Sequence, residues 1–188
     1  MAEDNMKAVI EALLFASDAP LALEQMKAAL DNLETTEIRR VLEDLGSEYE
    51  RVNRGMRIVE VAGGFQMTTA PGAAVFLKKL YKQRRVERLS RPGLETLAIV
   101  AYKQPVTKRE MESIRGVNVD GVIKSLLDKG LIRISGRKKS PGKPFVFGTT
   151  RQFLEYFGLK SLEELPRVEN FKEALASKGE TDDAQKSA

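Results

Sequence analysis

Thr107-Lys108-Arg109-Glu110, then Arg115-Gly116-Val117-Asn118, then Gly136-Arg137-Lys138-Lys139-Ser140-Pro141-Gly142-Lys143-Pro144 are the stretches that decide the fold. The first has the spacing of a capping box, so it starts a helix. The second is a tight turn around a glycine, with Asn118 placed to cap the next helix. The third is a Lys-, Gly- and Pro-rich loop between two apolar runs, Leu131 to Ser135 and Phe145 to Phe147, which read as strands of a hairpin. Upstream, Ser90 is a candidate cap with Pro92 in the first turn, opening a helix on which Leu94, Leu97, Ala98 and Ala101 are expected to face one way. The helix after Asn118 carries its apolar face on Val122, Ile123, Leu126 and Leu127, and Gly130 stops it. Thr149 and Gln152 have capping-box spacing for one more helix. Three helices followed by a β-hairpin make a winged helix, an extension of the helix-turn-helix.

The same order occurs earlier in the chain. Met6, Val9, Ile10, Leu13 and Leu14 have helical spacing, and Asp18-Ala19-Pro20 ends that helix. Leu23, Met26 and Leu30 mark a second. Ile38, Val41, Leu42, Leu45, Tyr49 and Val52 form the stripe of a third, beginning near Thr36. Met56 to Val61 alternates as a strand, Gly63-Gly64 is a turn, and Phe65 to Thr69 returns. After Pro71, a helix with Val75, Phe76, Leu77 and Leu80 is expected to close the unit. Segments also match directly. Glu11-Ala12-Leu13-Leu14 answers Glu95-Thr96-Leu97-Ala98, and Pro20 and Met26 answer Pro105 and Met111. A repeat of about 80 residues is a domain-sized unit. The expected fold is therefore mainly α with small β-hairpins (α+β), as tandem winged-helix domains. Residues 1–83 form the first, 84–90 a basic linker, 91–166 the second, and 167–188 a mobile tail in which Val168, Phe171 and Leu175 have helical spacing.

Composition limits the chemistry. The 188 residues include no His, no Cys and no Trp. A disulfide framework and thiolate metal sites are excluded, and the commonest zinc ligand and neutral-pH acid-base group are missing. No nucleophile, base and orienting group come together in the sequence, so no enzyme, cofactor or metal site is expected. The longest apolar run, Leu97 to Tyr102, is too short to cross a bilayer. The start of the chain carries Glu3 and Asp4 rather than a basic stretch before an apolar core, so a cytoplasmic protein is expected.

The net charge of +4 is divided unevenly. Residues 1–60 carry 7 basic and 13 acidic residues, and residues 91–150 carry 12 basic and 5 acidic. Residues 61–90 add Lys78, Lys79, Lys82, Arg84, Arg85 and Arg88 against the single acidic Glu87. Winged helices that read DNA place exposed Arg, Asn or Gln on the third helix. Here that helix presents Asp120, Gly121, Lys124, Ser125, Asp128 and Lys129, which suits base readout poorly. The wing is a better polyanion surface, and Lys138, Lys139 and Lys143 are candidates for weak phosphate contacts without sequence preference. A winged-helix DNA-binding transcriptional regulator is the alternative that this basic half supports.

Further motifs carry a family resemblance. Leu94-Glu95-Thr96-Leu97-Ala98-Ile99-Val100-Ala101-Tyr102-Lys103-Gln104-Pro105-Val106-Thr107 resembles the segregation and condensation protein B (ScpB) family. So do Lys129-Gly130-Leu131-Ile132-Arg133, Pro141-Gly142-Lys143-Pro144, Gly148-Thr149-Thr150 and Phe157-Gly158-Leu159-Lys160-Ser161-Leu162, in that order, and earlier Ile10 to Ala16 and Val59 to Gly64. The chain departs from the family pattern at Gly93, Val119 and Lys139. The resemblance implies a non-enzymatic, nucleoid-associated scaffold in chromosome condensation and segregation during cell division. It implies a homodimer formed through the N-terminal domains. It also implies one kleisin partner, ScpA, which bridges to an SMC ATPase. For pairing, the apolar Leu13, Phe15 and Tyr49 are the candidate anchors. For the kleisin, the candidates are Arg115, Asn118, Asp120, Lys124 and Arg137 on the second helix-turn-helix and wing.

Overall fold

The computed structural model describes residues 3–81 and 88–167. Linker residues Lys82, Arg84, Arg85 and Glu87 and tail residues Val168, Phe171 and Leu175 lie outside the described residues. In the first half, α1 (Glu3–Ala16), α2 (Leu23–Ala29) and α3 (Thr35–Arg51) precede β1 (Met56–Val61) and β2 (Gly64–Thr69). The two strands pair antiparallel, Met56 opposite Thr69 and Val61 opposite Gly64. A 3-10 turn at Pro71–Ala73 leads into α4 (Ala74–Leu80). Ile10, Leu14, Met26, Ile38, Val41, Leu42, Leu45 and Phe65 make one apolar core.

The second half repeats the plan. α5 (Arg91–Lys103), α6 (Lys108–Arg115) and α7 (Asp120–Asp128) precede β4 (Ile132–Arg137) and β5 (Phe145–Thr149), and α8 (Arg151–Phe157) follows. A short β3 (Val106–Thr107) joins the hairpin on its other side, giving the strand order β3-β5-β4. Leu97, Val100, Val106, Met111, Val119, Ile123, Leu126, Ile132, Phe147 and Phe153 make a second core. Each half is thus a winged helix around its own buried cluster.

Local rules account for most boundaries. Ser90 Oγ accepts from the Gly93 amide at 3.2 Å and starts α5. A Cβ at Gly93, where the chain departs from the family pattern, would lie 3.2 Å from that oxygen, so a larger residue there requires the Ser90 side chain to shift by a few tenths of an ångström. Thr107 Oγ1 accepts from the Glu110 amide at 3.3 Å, and Glu110 Oε2 accepts from the Thr107 amide at 2.8 Å. Gly116 ends α6 at φ 70°, the left-handed conformation glycine adopts without penalty.

Four expectations need correction. On α5, Leu94 and Ala98 are exposed, and the buried face is Gly93, Thr96, Leu97, Val100 and Ala101. Thr96 can be buried because its hydroxyl donates to Pro92 O at 2.9 Å and accepts from Arg115 at 3.1 Å. The cap of α8 is Thr150, accepting from the Phe153 amide, whereas Thr149 is in β5. Instead, Thr149 donates its amide and hydroxyl to Gln104 Oε1 at 2.8 and 3.1 Å, tying the strand to the end of α5. The first hairpin turns at Ala62-Gly63, with Gly64 already in the strand. Finally, α4 does not close the first unit, since Val75, Phe76 and Leu80 are all exposed.

The halves touch through the first wing. The Ala62 amide donates to Leu159 O at 2.8 Å and the Gly63 amide to Lys160 O at 3.1 Å. Glu60 accepts from Arg39 at 3.1 Å within its own half and pairs with Lys160 at 3.4 Å across to the other. Partial burial pushes the Glu60 carboxyl up, but hydrogen bonds from Arg39 and Lys160 outweigh it and hold it below the usual range. Arg151 adds a bond to Pro20 O at 2.6 Å.

Candidate partner-binding surface

The turn between α6 and α7 and the wing beside it form the most developed surface of the second half. Asn118 Oδ1 accepts from the Asp120 amide at 3.0 Å in an Asx turn just before α7; the cap position predicted for it is taken by Val119, which offers no side-chain acceptor. The Asn118 amide group also donates to Asp120 Oδ2 at 3.1 Å. Lys108, the first residue of the preceding helix α6, bonds the same carboxylate at 2.6 Å and pairs with Glu112 at 3.5 Å. Bonds from Lys108 and Asn118 hold the Asp120 carboxyl below its usual range, and Asp120 in turn raises the Lys108 ammonium. A fixed anion therefore sits at the N-terminus of the third helix.

Beneath the wing the contacts are aromatic and ionic. The Arg137 guanidinium lies 4.0 Å from the centre of the Phe145 ring, and it donates to Lys143 O at 3.1 Å. Lys138 bonds Glu110 at 2.6 Å, tying the wing back to α6. That bond, with the Thr107 amide and hydroxyl, lowers the Glu110 carboxyl to about 2. Between α6, α7 and β5 lies an open groove of about 710 Å³, lined by Lys108, Arg109, Glu112, Asp120, Ile123, Pro144, Phe145 and Phe147. Its floor is apolar and its rim is charged.

Of the residues named from sequence, Asn118, Asp120 and Arg137 come together around this groove and wing. Lys124 is exposed on the outer face of α7. Arg115 is drawn away, because its side chain is only 11% exposed and clamps Glu95 at 2.9 Å and Thr96 at 3.1 Å on α5. Lys139 and Lys143 are exposed at the wing tip, while Lys138 is engaged by Glu110. Sequence reasoning missed Phe145, Arg109 and Lys108. Period-two alternation pairs Phe145 with the core residue Phe147, but the strand runs past the core at the wing, leaving Phe145 44% exposed. Val119 departs from the family pattern for a physical reason, being fully buried in the second core.

In the first half the proposed anchors divide. Leu13 and Tyr49 are half-buried against the core, whereas Phe15 is 78% exposed at the end of α1. Burial, with a hydrogen bond to Glu11, pushes the Tyr49 phenol up to about 12, so it is a neutral donor at every physiological pH. The outer side of α3 carries Glu37, Glu43, Asp44 and Glu50, an anionic face that repels phosphate. Among the described residues, no helix is long and apolar enough to cross a membrane.

Comparison with known proteins gives a consistent result. The family described as "Segregation and condensation complex subunit ScpB" matches residues 8–168. Segregation and condensation protein B of Syntrophotalea carbinolica is 48% identical over 169 residues, covering 90% of this chain and 85% of that protein. The protein of the same name from Moorella thermoacetica is 46% identical, covering 89% and 85%. A solved dimer of an ScpB N-terminal domain with an ScpA peptide is 40% identical, covering 43% of this chain and 99% of its own, with a TM-score of 0.40.

Proposed function

The chain belongs to the segregation and condensation complex subunit ScpB family, and from that premise we propose that it is a non-catalytic scaffold of a bacterial condensin, pairing through residues 1–83 and binding the kleisin ScpA through residues 91–166. The linker at 84–90 joins the two functions. Through the kleisin the chain meets the SMC ATPase. Its work is chromosome condensation and segregation at cell division, in the cytoplasm at the nucleoid.

The groove beside the third helix carries the kleisin reading. A DNA reader needs cations and base-edge donors where α7 meets the major groove. Here Lys108 is spent on Asp120, and the neighbouring floor is Phe145, Phe147 and Ile123. An apolar floor with a polar rim is the anatomy of a protein interface. The wing-tip lysines Lys139 and Lys143 add, at most, weak and salt-sensitive contact with DNA.

Light scattering on the chain with and without ScpA tests this. A stable complex with the kleisin is expected, and Phe145→Asp should weaken it at least tenfold while leaving the fold intact, since the ring is outside the core. Absence of a complex with soluble, folded ScpA would overturn the proposal. Tight preference for one DNA sequence over random duplex would favour a regulator instead.

A further inference from the structure

The outer face of α5 carries an apolar stripe. Leu94, Ala98 and Tyr102 follow one another at four-residue spacing, so they lie one above the next on the helix. All three are exposed, Leu94 by 44% and Tyr102 by 36%, while the opposite face of α5 is buried in the second core. Glu95 runs beside the stripe, held by Arg91 at 3.6 Å and Arg115 at 2.9 Å. Lys103 is exposed at its far end. None of these residues lines the groove between α6, α7 and β5, so the stripe is a separate surface.

The chain itself is pinned to one end of that stripe. The Tyr102 phenol donates to Pro166 O at 2.7 Å, and Leu165 packs against the second core. Val168 comes two positions after the pinned carbonyl. Phe171 and Leu175 follow it with helical spacing, among the helix formers Glu169, Lys172, Glu173 and Ala174. A helix would span about 10 Å from Val168 to Leu175, and α5 rises about 12 Å from Leu94 to Tyr102. The two stripes therefore match in length. A helix that short is marginal alone in water and needs an apolar surface to support it.

We propose that residues 168–176 form a helix that docks antiparallel on the outer face of α5 in the same chain. Val168 packs on Tyr102, Phe171 over Ala98, and Leu175 on Leu94. The small Ala98 leaves room for the Phe171 ring between two larger side chains. The pin at Pro166 sets the direction, because a segment that starts beside Tyr102 covers the stripe only by running back toward Leu94. The same register brings Glu169 to the level of Lys103 and Lys172 to the level of Glu95, opposite charges in both cases. The occupant is this chain's own segment because the tether at Pro166 holds it beside the stripe at a high effective concentration, against which any separate helix must compete.

The chain has no Cys, so disulfide formation reads the contact directly. Leu94→Cys is combined with Leu175→Cys, or with Glu173→Cys, in the full chain, and each double variant is oxidised at low protein concentration. Positions 173 and 175 point to opposite sides of a helix but are equally near Leu94 in a free segment. An intrachain disulfide about tenfold faster for the Leu175→Cys variant is expected. Equal rates, or no disulfide in either, overturn the docking. A disulfide between two chains that forms faster at higher concentration makes a second copy the occupant and overturns it as well. Hydrogen exchange gives an independent reading without cysteines. The amides of 172–176 should be slowed about tenfold relative to those of 181–188. Leu94→Asp should remove that difference while α5 keeps its own protection, because Leu94 is outside the core. Free exchange at 172–176 in the wild type overturns the helix. Protection that survives Leu94→Asp puts the helix on another surface and overturns this one.

Discussion

The first winged helix turns its hairpin in two residues, Ala62-Gly63, and gives both amides to the other half of the molecule. The second closes its hairpin with a loop from Lys138 to Pro144, built of Lys, Ser, Pro and Gly, and keeps that loop in solvent. Caps differ in the same direction. Ser90, Thr107 and Thr150 cap α5, α6 and α8 with side-chain oxygens. In the first half, Ala22 and Glu34 give α2 and α3 no side-chain cap, as Val119 gives none to α7, though Gln25 Oε1 accepts from the Ala22 amide at 2.9 Å. Charge follows, acidic before residue 60 and basic after it. One topology has thus been specialised twice. The first copy is held by tertiary contact and offers an acidic, partly apolar side, while the second has side-chain caps on α5, α6 and α8 and offers a solvent-facing basic wing tied to α6 through Lys138.

Glycines test how far that contrast goes. In the first half, a Cβ at Gly64 would lie 2.7 Å from Leu21 O, where Leu21 and Phe65 exchange backbone hydrogen bonds at 2.9 and 2.8 Å. Neither backbone can yield without losing those bonds. Gly64→Ala should therefore destabilise by about 2–3 kcal/mol. In the second half, a Cβ at Gly121, in the first turn of α7, meets nothing within 4 Å. Gly121→Ala should stabilise by about 0.5 kcal/mol through the lower entropy of the unfolded chain. Thermal unfolding of the two variants gives opposite shifts if tertiary contact rules the first half and local propensity the second. Equal shifts would erase the distinction.

The contact between halves is the next largest effect. Replacing Glu60 by Gln leaves Arg39 and Lys160 without their shared carboxylate, whose side chain is 26% exposed. The loss is about 1 kcal/mol, set by partial exposure. Hydrogen exchange reads it more locally than melting does. The amides of Ala62 and Gly63 should exchange faster in Glu60→Gln, while those inside α6 keep their protection. If the Ala62 and Gly63 amides are already unprotected in the wild type, the first wing is as free as the second.

Much of this was legible before the structure. The capping box at Thr107, the cap at Ser90 and the stop at Gly116 each depend on neighbours within four residues, so sequence states them fully. The order of elements was legible for the same reason. The buried face of α5 was not, because a hydropathy pattern counts Thr96 as polar and cannot see that Pro92 O and Arg115 satisfy its hydroxyl. Strand β3 has two residues and exists only through β5, a partner about 40 positions away. The bonds from Ala62 and Gly63 use backbone groups, which carry no side-chain signature at all. In the partner surface, Asn118 and Asp120 were legible as a helix start. Phe145 was not, since alternation cannot tell where a strand leaves the core behind.

The smallest expected effect lies in acid and belongs to the second half alone. Glu110 closes the capping box and also holds the wing through Lys138, and together these lower its carboxyl from 4.5 to about 2. A carboxyl lowered on folding stabilises in full above its unfolded value and loses that contribution as pH falls through its folded one. The Glu110 contribution is therefore complete above about pH 4.5 and disappears between there and pH 2. Glu48, Glu60 and Asp120 are lowered too, so the acid limb of the wild type is shared among them. The difference between wild type and Glu110→Gln isolates one member. Glutamine can still accept from the Thr107 amide but carries no charge for Lys138. The two proteins should differ in melting temperature at pH 7 and converge as pH approaches 2. A difference that stays constant over that range would mean that Glu110 acts by shape, leaving Lys138 and the wing as free as the solvent around Lys139 and Lys143.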